Sequence, residues 1–217
     1  MGDAIENDVK ARNLNELISL APNDALSLTI DVLEPVIRDL DYFFMIAGTE
    51  AHVGKGAWTE EMVGKDLEAV KSGKNSYVWS NLVAEFGGVK FDLAHHPAGN
   101  SSVTRNYPAV ASRMAYDIQY SYIERGEVPP DIAVRGHLHR FADSGIGLKT
   151  RGIILPCFQY KTAYASRLGF DHSLPDIGMV VFLCEGGEYE MKVKRVKPKE
   201  KRKIWRIPKI AQPENKS

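Results

Sequence analysis

Five of the six histidines of this 217-residue chain lie just after an apolar run that could form a buried strand. These histidines are His52, His95, His96, His137 and His139. The carboxylate of Glu50 lies in the same loop as His52. Neutral imidazole is the commonest side-chain metal ligand, and carboxylate oxygens bind divalent ions. Because sites in open α/β sheets form beyond the carboxyl ends of the strands, we expect these side chains to meet at one metal site.

The ligand types narrow the choice of metal. Only Cys157 and Cys184 occur, and neither is a plausible ligand, so imidazole and carboxylate favour Mn, Fe or Zn over Ca or a structural zinc knot. The chain has no His-Glu-x-x-His helix and no Gly-x-x-x-x-Gly-Lys loop, which argues against a zinc protease and a P-loop nucleotide hydrolase. Taken alone, Gly136-His137-Leu138-His139 could also be an exposed loop, and the clustering of histidines at strand ends favours a metal site.

The sequence predicts alternating strands and helices in the first two thirds of the chain. The predicted helices are 23–40, kinked or split at Pro35, then 60–70 and 108–124. The predicted strands are 41–47, 77–79, 82–86, 89–94, 131–135, 146–156, 178–183 and 189–196. The last third is mostly strand, so the order of elements predicts an α/β domain with a mixed sheet.

The composition is typical of a protein from a reducing compartment. Two cysteines cannot form a disulfide framework, and no apolar run approaches the roughly 20 residues of a membrane helix. The first ten residues are polar and acidic, unlike a signal peptide. We therefore expect a cytoplasmic location and no membrane partner.

Positive charge is concentrated at the C-terminal end of a chain whose formal net charge is zero. Residues 192–217 carry 11 Lys and Arg against 2 Asp and Glu, which leaves the rest of the chain acidic. A segment of this kind is either a solvated strand and tail or a contact for nucleic-acid phosphates.

Four short motifs occur in a fixed order along the chain. They are Gly2-Asp3, Gly48-Thr49-Glu50-Ala51-His52, His95 (or His96), and Gly136-His137-Leu138-His139. Gly2-Asp3 taken alone would be an ordinary disordered N-terminus. The order resembles that of the calcineurin-like metallophosphoesterases, in the form common among phage and prophage proteins. That family has Asp-x-His, Gly-Asp, Gly-Asn-His-Glu/Asp, a lone His and Gly-His-x-His. The resemblance covers about residues 1–185.

The resemblance implies a two-sheet α/β sandwich of the metallophosphoesterase type with two divalent ions, Mn, Fe or Zn. Asp3 would bridge both ions, His95 and His137 would bind the second ion, and His139 would bind the first. His52 would be the catalytic imidazole, which stabilises the phosphate or protonates the leaving group. Two ions about 3.5–4 Å apart neutralise the phosphate during an in-line displacement.

Two motifs depart from the family pattern. The third motif lacks its Asn, so we expect Glu50 to replace that oxygen ligand, with Thr49 as the weaker candidate. The Asp-x-His motif is absent, and we expect an N-terminally truncated form of the fold that lacks the first strand, helix and strand. In such a form the first ion keeps only Asp3 and His139, and one ion alone could be retained. The truncation would come from a miscalled start, a split gene or a decayed prophage copy.

The resemblance implies a metal-dependent hydrolase of phosphoester bonds, in a phosphomonoester, a phosphodiester or nucleic acid. The alternative is a non-catalytic remnant or nucleic-acid-binding module with at most one intact metal site. His96 and Arg105 are candidate phosphate contacts, although His96 could equally pack beside its turn and Arg105 could be an ordinary surface residue. The chain divides into a metallophosphoesterase domain, 1–196, and a basic tail, 197–217, expected to be disordered. A phage-encoded protein would act in the host cytoplasm.

Overall fold

A computed structural model of the protein describes residues 1–5, 19, 21–97, 106–160 and 174–198. The helices of these residues are α1 (Pro22–Ile37), α2 (Glu50–Val53), α3 (Trp58–Asp66) and α4 (Tyr107–Glu124), with a 3-10 turn at Lys55–Ala57. The strands are β1 (Met45–Ile46), β2 (Val78–Trp79), β3 (Asn81–Phe86), β4 (Val89–Ala94), β5 (Ile132–Arg135), β6 (Ala142–Asp143), β7 (Arg151–Ile154), β8 (Ile177–Glu185) and β9 (Glu188–Val196).

The central sheet has five strands in the order β3-β4-β5-β7-β6. Strands β4, β5 and β7 are parallel to one another, and the edge strands β3 and β6 are antiparallel to their neighbours. The parallel pairing of β4 with β5 brings the ends of both strands to the same edge of the sheet. The predicted α/β class with a mixed sheet is therefore confirmed.

The two faces of the central sheet are covered by different elements. Alternate side chains of β4, β5 and β7 point to the hairpin of β8 and β9, where the rings of Phe91 and Phe182 lie 5.2 Å apart. The opposite face packs against α4, whose Met114 and Ile118 contact Ala133 of β5. Helix α4 begins at Tyr107, one residue before the predicted start, and the Asn106 side chain caps it by accepting a hydrogen bond from the N–H of Ala109 (3.4 Å).

A second apolar cluster lies beside the central sheet, around the two-stranded parallel sheet of β1 and β2. Its buried members include Ile5, Met45, Val63 and Val78, and apolar residues of α1 pack against them. Strand β1 ends at Ile46 and leads into residues 48–50, one of the predicted site loops. The β1–β2 sheet and the central sheet thus each contribute a loop to the region where the predicted site residues lie.

Two predicted strands are much shorter in the structure. The predicted strand 41–47 is a strand only at Met45–Ile46, because these two residues alone pair with β2 and Tyr42 is 70% exposed. The predicted strand 146–156 is a strand at Arg151–Ile154, and Ile146 is 85% exposed. In both cases the apolar pattern of the sequence continues into residues that lie outside the sheet, so the predicted strand was too long. Helix α1 ends three residues before the predicted end and contains Pro35 without a break.

None of the helices among the described residues is long and apolar enough to cross a membrane.

A buried polar network ties β4, β5 and α4 together near the site. The Arg135 guanidinium donates to Asp92 Oδ1 (2.7 Å) and to the backbone oxygens of Asp92 and Val134, both at 2.9 Å. The Tyr122 hydroxyl donates to Asp92 Oδ2 (2.9 Å). Arg135 and Asp92 are each 5% exposed. Because both charges are buried and mutually hydrogen-bonded, loss of one partner leaves the other unpaired.

We predict that Asp92→Ala lowers the free energy of unfolding by about 3–5 kcal/mol, because the Arg135 guanidinium loses its buried counter-ion. Urea denaturation followed by circular dichroism measures the loss. The control is Glu127→Ala, whose ion pair with Arg125 is half exposed and should contribute less than about 1 kcal/mol. Equal losses in the two variants would show that the network does not stabilise the sheet.

Candidate metal centre

The end of β4 places one imidazole in the interior. His95 is 3% exposed, and the next residue, His96, is exposed. His95 Nδ1 lies 2.8 Å from the carbonyl oxygen of Met1, and His95 Nε2 lies 2.8 Å from Asp3 Oδ2. Because a carbonyl oxygen only accepts hydrogen bonds, Nδ1 carries the hydrogen and Nε2 faces the carboxylate.

The end of β5 places His137 beside His95. The N–H of Gly136 donates to the carbonyl of His95 (2.9 Å), and His137 Nδ1 lies 3.3 Å from His95 Nε2. His137 and His139 both have left-handed backbones, with φ of 68° and 55°. Such a conformation in a non-glycine residue costs about 1–3 kcal/mol and is found preferentially at functional sites.

The buried carboxylate of Asp176 holds the His137–His139 turn from the other side. Its Oδ2 accepts from the N–H of Phe141 (3.0 Å), and its own N–H donates to the carbonyl of His139 (3.0 Å). Arg195 donates to the same oxygen at 3.1 Å. These bonds offset the strain of the turn.

Asp3 lies between the two loops and also has a left-handed backbone, with φ of 53°. The N–H of Thr49 donates to Asp3 Oδ1 (2.5 Å), and the Thr49 hydroxyl donates to Oδ2 (3.3 Å). The approach is so close that a Cβ on Gly48 would overlap the backbone and carboxylate of Asp3. Glycine is therefore required next to Thr49 by this contact.

The donor atoms of these side chains are spaced like the ligands of a single ion. One ring nitrogen each of His95, His96 and His137 lie within 4.8 Å of one another. The Thr49 hydroxyl lies 3.3 Å from the Nε2 atoms of His95 and His96 and 3.5 Å from His137 Nδ1. Ligand atoms bound about 2.0–2.2 Å from one ion lie about 3 Å apart, so the group fits a divalent cation.

The electrostatics of the group also suit a metal ligand set. Burial by itself would raise the pKa of Asp3, but hydrogen bonds from His95 and Thr49 outweigh it and hold the pKa at about 2. Burial and the neighbouring imidazoles lower the pKa of His137 to about 4. Burial and His95 also lower the pKa of His96. At neutral pH the site therefore offers the anionic carboxylate of Asp3 and the neutral imidazoles of His96 and His137, each with a free lone pair.

The remaining predicted site residues lie around this group. Glu50, the first residue of α2, is exposed and lies outside the group of three imidazoles. His52 is half-buried and helps to lower the pKa of Asp3 by its charge. The charge of His139 likewise helps to lower the pKa of His137. Among the described residues, the His139 ring is not a member of the three-imidazole group. Arg105 lies outside the described residues, as do 199–217 of the predicted tail. The roles assigned to these residues stay predictions.

The sequence does not predict Glu60 and Asp176 as site residues, and it favours Glu50 over Thr49 as the oxygen ligand. Glu60 is fully buried and contacts the backbone on both sides of the site. No spacing or composition signal separates Glu60 and Asp176 from ordinary surface carboxylates. Thr49 could have been recognised from its position before a short helix, where hydroxyl residues are common.

An open cleft of about 490 Å³ extends from the group. Its lining includes Gly48, Glu50, Ser76, His95 and His96. A ligand in this cleft would reach the exposed edge of His96 directly.

No protein-family model matches the chain, and no curated protein is significantly similar to it in sequence. Among solved structures, a single mutant of Vps29 from Entamoeba histolytica has a TM-score of 0.42 and 14% identity, covering 80% of this chain and 89% of that chain. Wild-type Vps29 from the same organism, complexed with zinc, has a TM-score of 0.41 and 15% identity, covering 79% and 88%. A conserved protein from Streptococcus pneumoniae, described as a predicted phosphoesterase, has a TM-score of 0.37 and 12% identity, covering 89% and 95%. Similarities this low assign neither a family nor an activity to the chain.

We predict that Thr49→Val weakens Mn²⁺ binding about 10-fold, because valine keeps the shape and the backbone N–H but removes the central hydroxyl. Isothermal titration calorimetry measures the affinity. Glu50→Gln should change it by no more than about twofold, as expected for an exposed charge. A larger loss of Mn²⁺ affinity in Glu50→Gln than in Thr49→Val would make Glu50 the oxygen ligand instead.

Proposed function

We propose that the protein is a metal-dependent hydrolase of phosphoester bonds. The observation that carries the proposal is the convergence of ring nitrogens of His95, His96 and His137 at ligand spacing. The carboxylate of Asp3 lies beside them, 2.8 Å from His95 Nε2. The motif order of the sequence supports the same chemistry. The resemblance also suggests a phage-encoded protein that acts in the host cytoplasm.

Five side chains would hold the ion: Asp3, Thr49, His95, His96 and His137. A bound divalent ion supplies Lewis-acid polarisation of a phosphoryl oxygen and lowers the pKa of water. The described residues then have separate tasks. Asp3 supplies the negative charge of the site, and His95 fixes its position by a 2.8 Å contact. His96 is exposed at the cleft, so it also faces the space where a phosphate would bind.

Proton transfer to the leaving group is assigned to His52. It is half-buried next to the loop of Thr49 and lies close enough to Asp3 to affect the pKa of that carboxyl. A second ion at Asp3 and His139 belongs to the same proposal, with Mn, Fe or Zn as the metals. Substrates would be a phosphomonoester, a phosphodiester or nucleic acid.

A second candidate is a non-catalytic module that holds a single ion. It is favoured by the position of His139, which lies outside the three-imidazole group among the residues described. Metal binding without turnover would select this candidate.

We predict that wild-type protein with Mn²⁺ hydrolyses the chromogenic diester bis(p-nitrophenyl) phosphate, and that His137→Ala lowers kcat/KM on the order of 100-fold. The reason is loss of a ligand whose lone pair is free at neutral pH. The control is Glu127→Ala, which changes an exposed residue of a remote surface pair and should retain the wild-type rate. Equal rates in wild type and His137→Ala would remove the enzyme proposal.

The basic segment 192–217 extends the proposal to nucleic acid as substrate or partner. We predict that deletion of residues 199–217 abolishes salt-sensitive DNA retention, because phosphate contacts release counter-ions in proportion to their number. Filter binding at several salt concentrations measures retention, and hydrolysis of the small diester should be unchanged. DNA retention that survives the deletion would show that the segment is only a solvated end.

A further inference from the structure

Glu60 is a fully buried carboxylate that touches two of the loops of the metal centre. It lies in the first turn of α3 and is 0% exposed. Its Oε1 accepts from the N–H of Ala4 (3.2 Å), and its Oε2 accepts from the N–H of Gly48 (2.7 Å). Ala4 follows Asp3 in the chain and Gly48 precedes Thr49. One side chain therefore connects the backbones of both oxygen donors of the site.

The position of Glu60 is itself fixed by its neighbours. Thr59, 1% exposed, donates its hydroxyl to the carbonyl of Val53 (2.7 Å), which anchors the start of α3 to the end of α2. The positive end of α3 favours a carboxylate in its first turn. The carboxylate thus comes from a rigid element, while the backbones that it binds belong to loops.

A buried carboxylate is an unfavourable choice for packing alone. Burial raises the pKa of Glu60, and only the N–H groups of Gly48 and Ala4 and the nearby positive charge of the Met1 amino group oppose that shift. A well-packed apolar residue at such a place is often as stable or more stable. Glu60 therefore contributes chiefly to geometry, because two acceptor oxygens on one rigid group set the distance between the backbones of Ala4 and Gly48.

We propose that Glu60 is a positioning residue, which sets the spacing between the Asp3 loop and the Thr49 loop so that both oxygen donors face the same ion. This inference rests on the proposed metal-dependent function. A glutamine cannot replace the carboxylate here, since its side chain has one acceptor oxygen and its NH₂ group would face the second N–H donor. An aspartate keeps both acceptors on a shorter stem.

The neighbouring residue Glu61 provides a matched control. It lies on the same helix, and its carboxylate accepts from the N–H of Tyr77 (2.8 Å) and from the hydroxyl of Ser76. It therefore binds a loop in a similar way, but that loop carries no donor of the metal centre. Glu60→Gln and Glu61→Gln make the same chemical change one residue apart.

The experiment titrates Mn²⁺ into wild type, Glu60→Gln, Glu60→Asp and Glu61→Gln by calorimetry, beside a thermal melt of each metal-free protein. We expect Glu60→Gln to bind Mn²⁺ at least about 10-fold more weakly, Glu60→Asp to recover part of the loss, and Glu61→Gln to match wild type. Similar melting temperatures in the two Gln variants would separate positioning from general stability. Equal Mn²⁺ affinity in Glu60→Gln and wild type would overturn the inference.

Two further outcomes separate this inference from the proposed function. Wild-type protein that binds no Mn²⁺ would contradict the proposed function itself, whatever Glu60 does. If Glu60→Gln does not fold, hydrogen exchange on the wild type decides, because the amides of Ala4 and Gly48 should be protected by the carboxylate. Rapid exchange at both amides would overturn the inference without any variant.

Discussion

The contact of the His95 ring with two hydrogen-bond acceptors is the constraint on which the site depends. The ring is buried between the carbonyl oxygen of Met1 and the carboxylate of Asp3, 2.8 Å from each. Neither acceptor has a hydrogen of its own, so the arrangement is stable when both ring nitrogens carry hydrogen or when a cation takes the place of the Nε2 proton. The fold thus prepares Nε2 and Asp3 Oδ2 to share one positive centre.

Much of the fold around this contact was predictable from the sequence. Strand β5 begins with the apolar run Ile132-Ala133-Val134, which is typical of a parallel strand buried on both faces. Strand β4 instead alternates apolar residues with Lys90 and Asp92, a pattern of period two that also predicts a strand. Their parallel pairing brings their ends together, which is why His95 and His137 were correctly expected to be neighbours. Helix α4 was predicted because Pro108 marks its start chemically, independently of packing.

The details of the site were less predictable because they depend on side-chain direction. Thr49 precedes α2 with an extended backbone, and its hydroxyl points to the imidazoles, whereas Glu50 is the first helical residue and is exposed. One residue separates the two, and no periodicity distinguishes them. Glu60 and Asp176 are recognised only through the N–H groups that they bind, and those partners are distant in sequence.

The charge of the ligand group bears on how many ions it can hold. Asp3 is the anion of the group, and lowered pKa values leave His96 and His137 neutral. One divalent ion would therefore leave a net positive centre, which attracts a phosphate. A second ion nearby would add two charges against the same single carboxylate, with Glu50 exposed at the rim of the cleft. Like charges at such distances repel strongly unless anionic ligands separate them. Within the part of the chain that the structure describes, the charge balance would therefore make binding of the proposed second ion depend on the negative charge of the phosphate substrate.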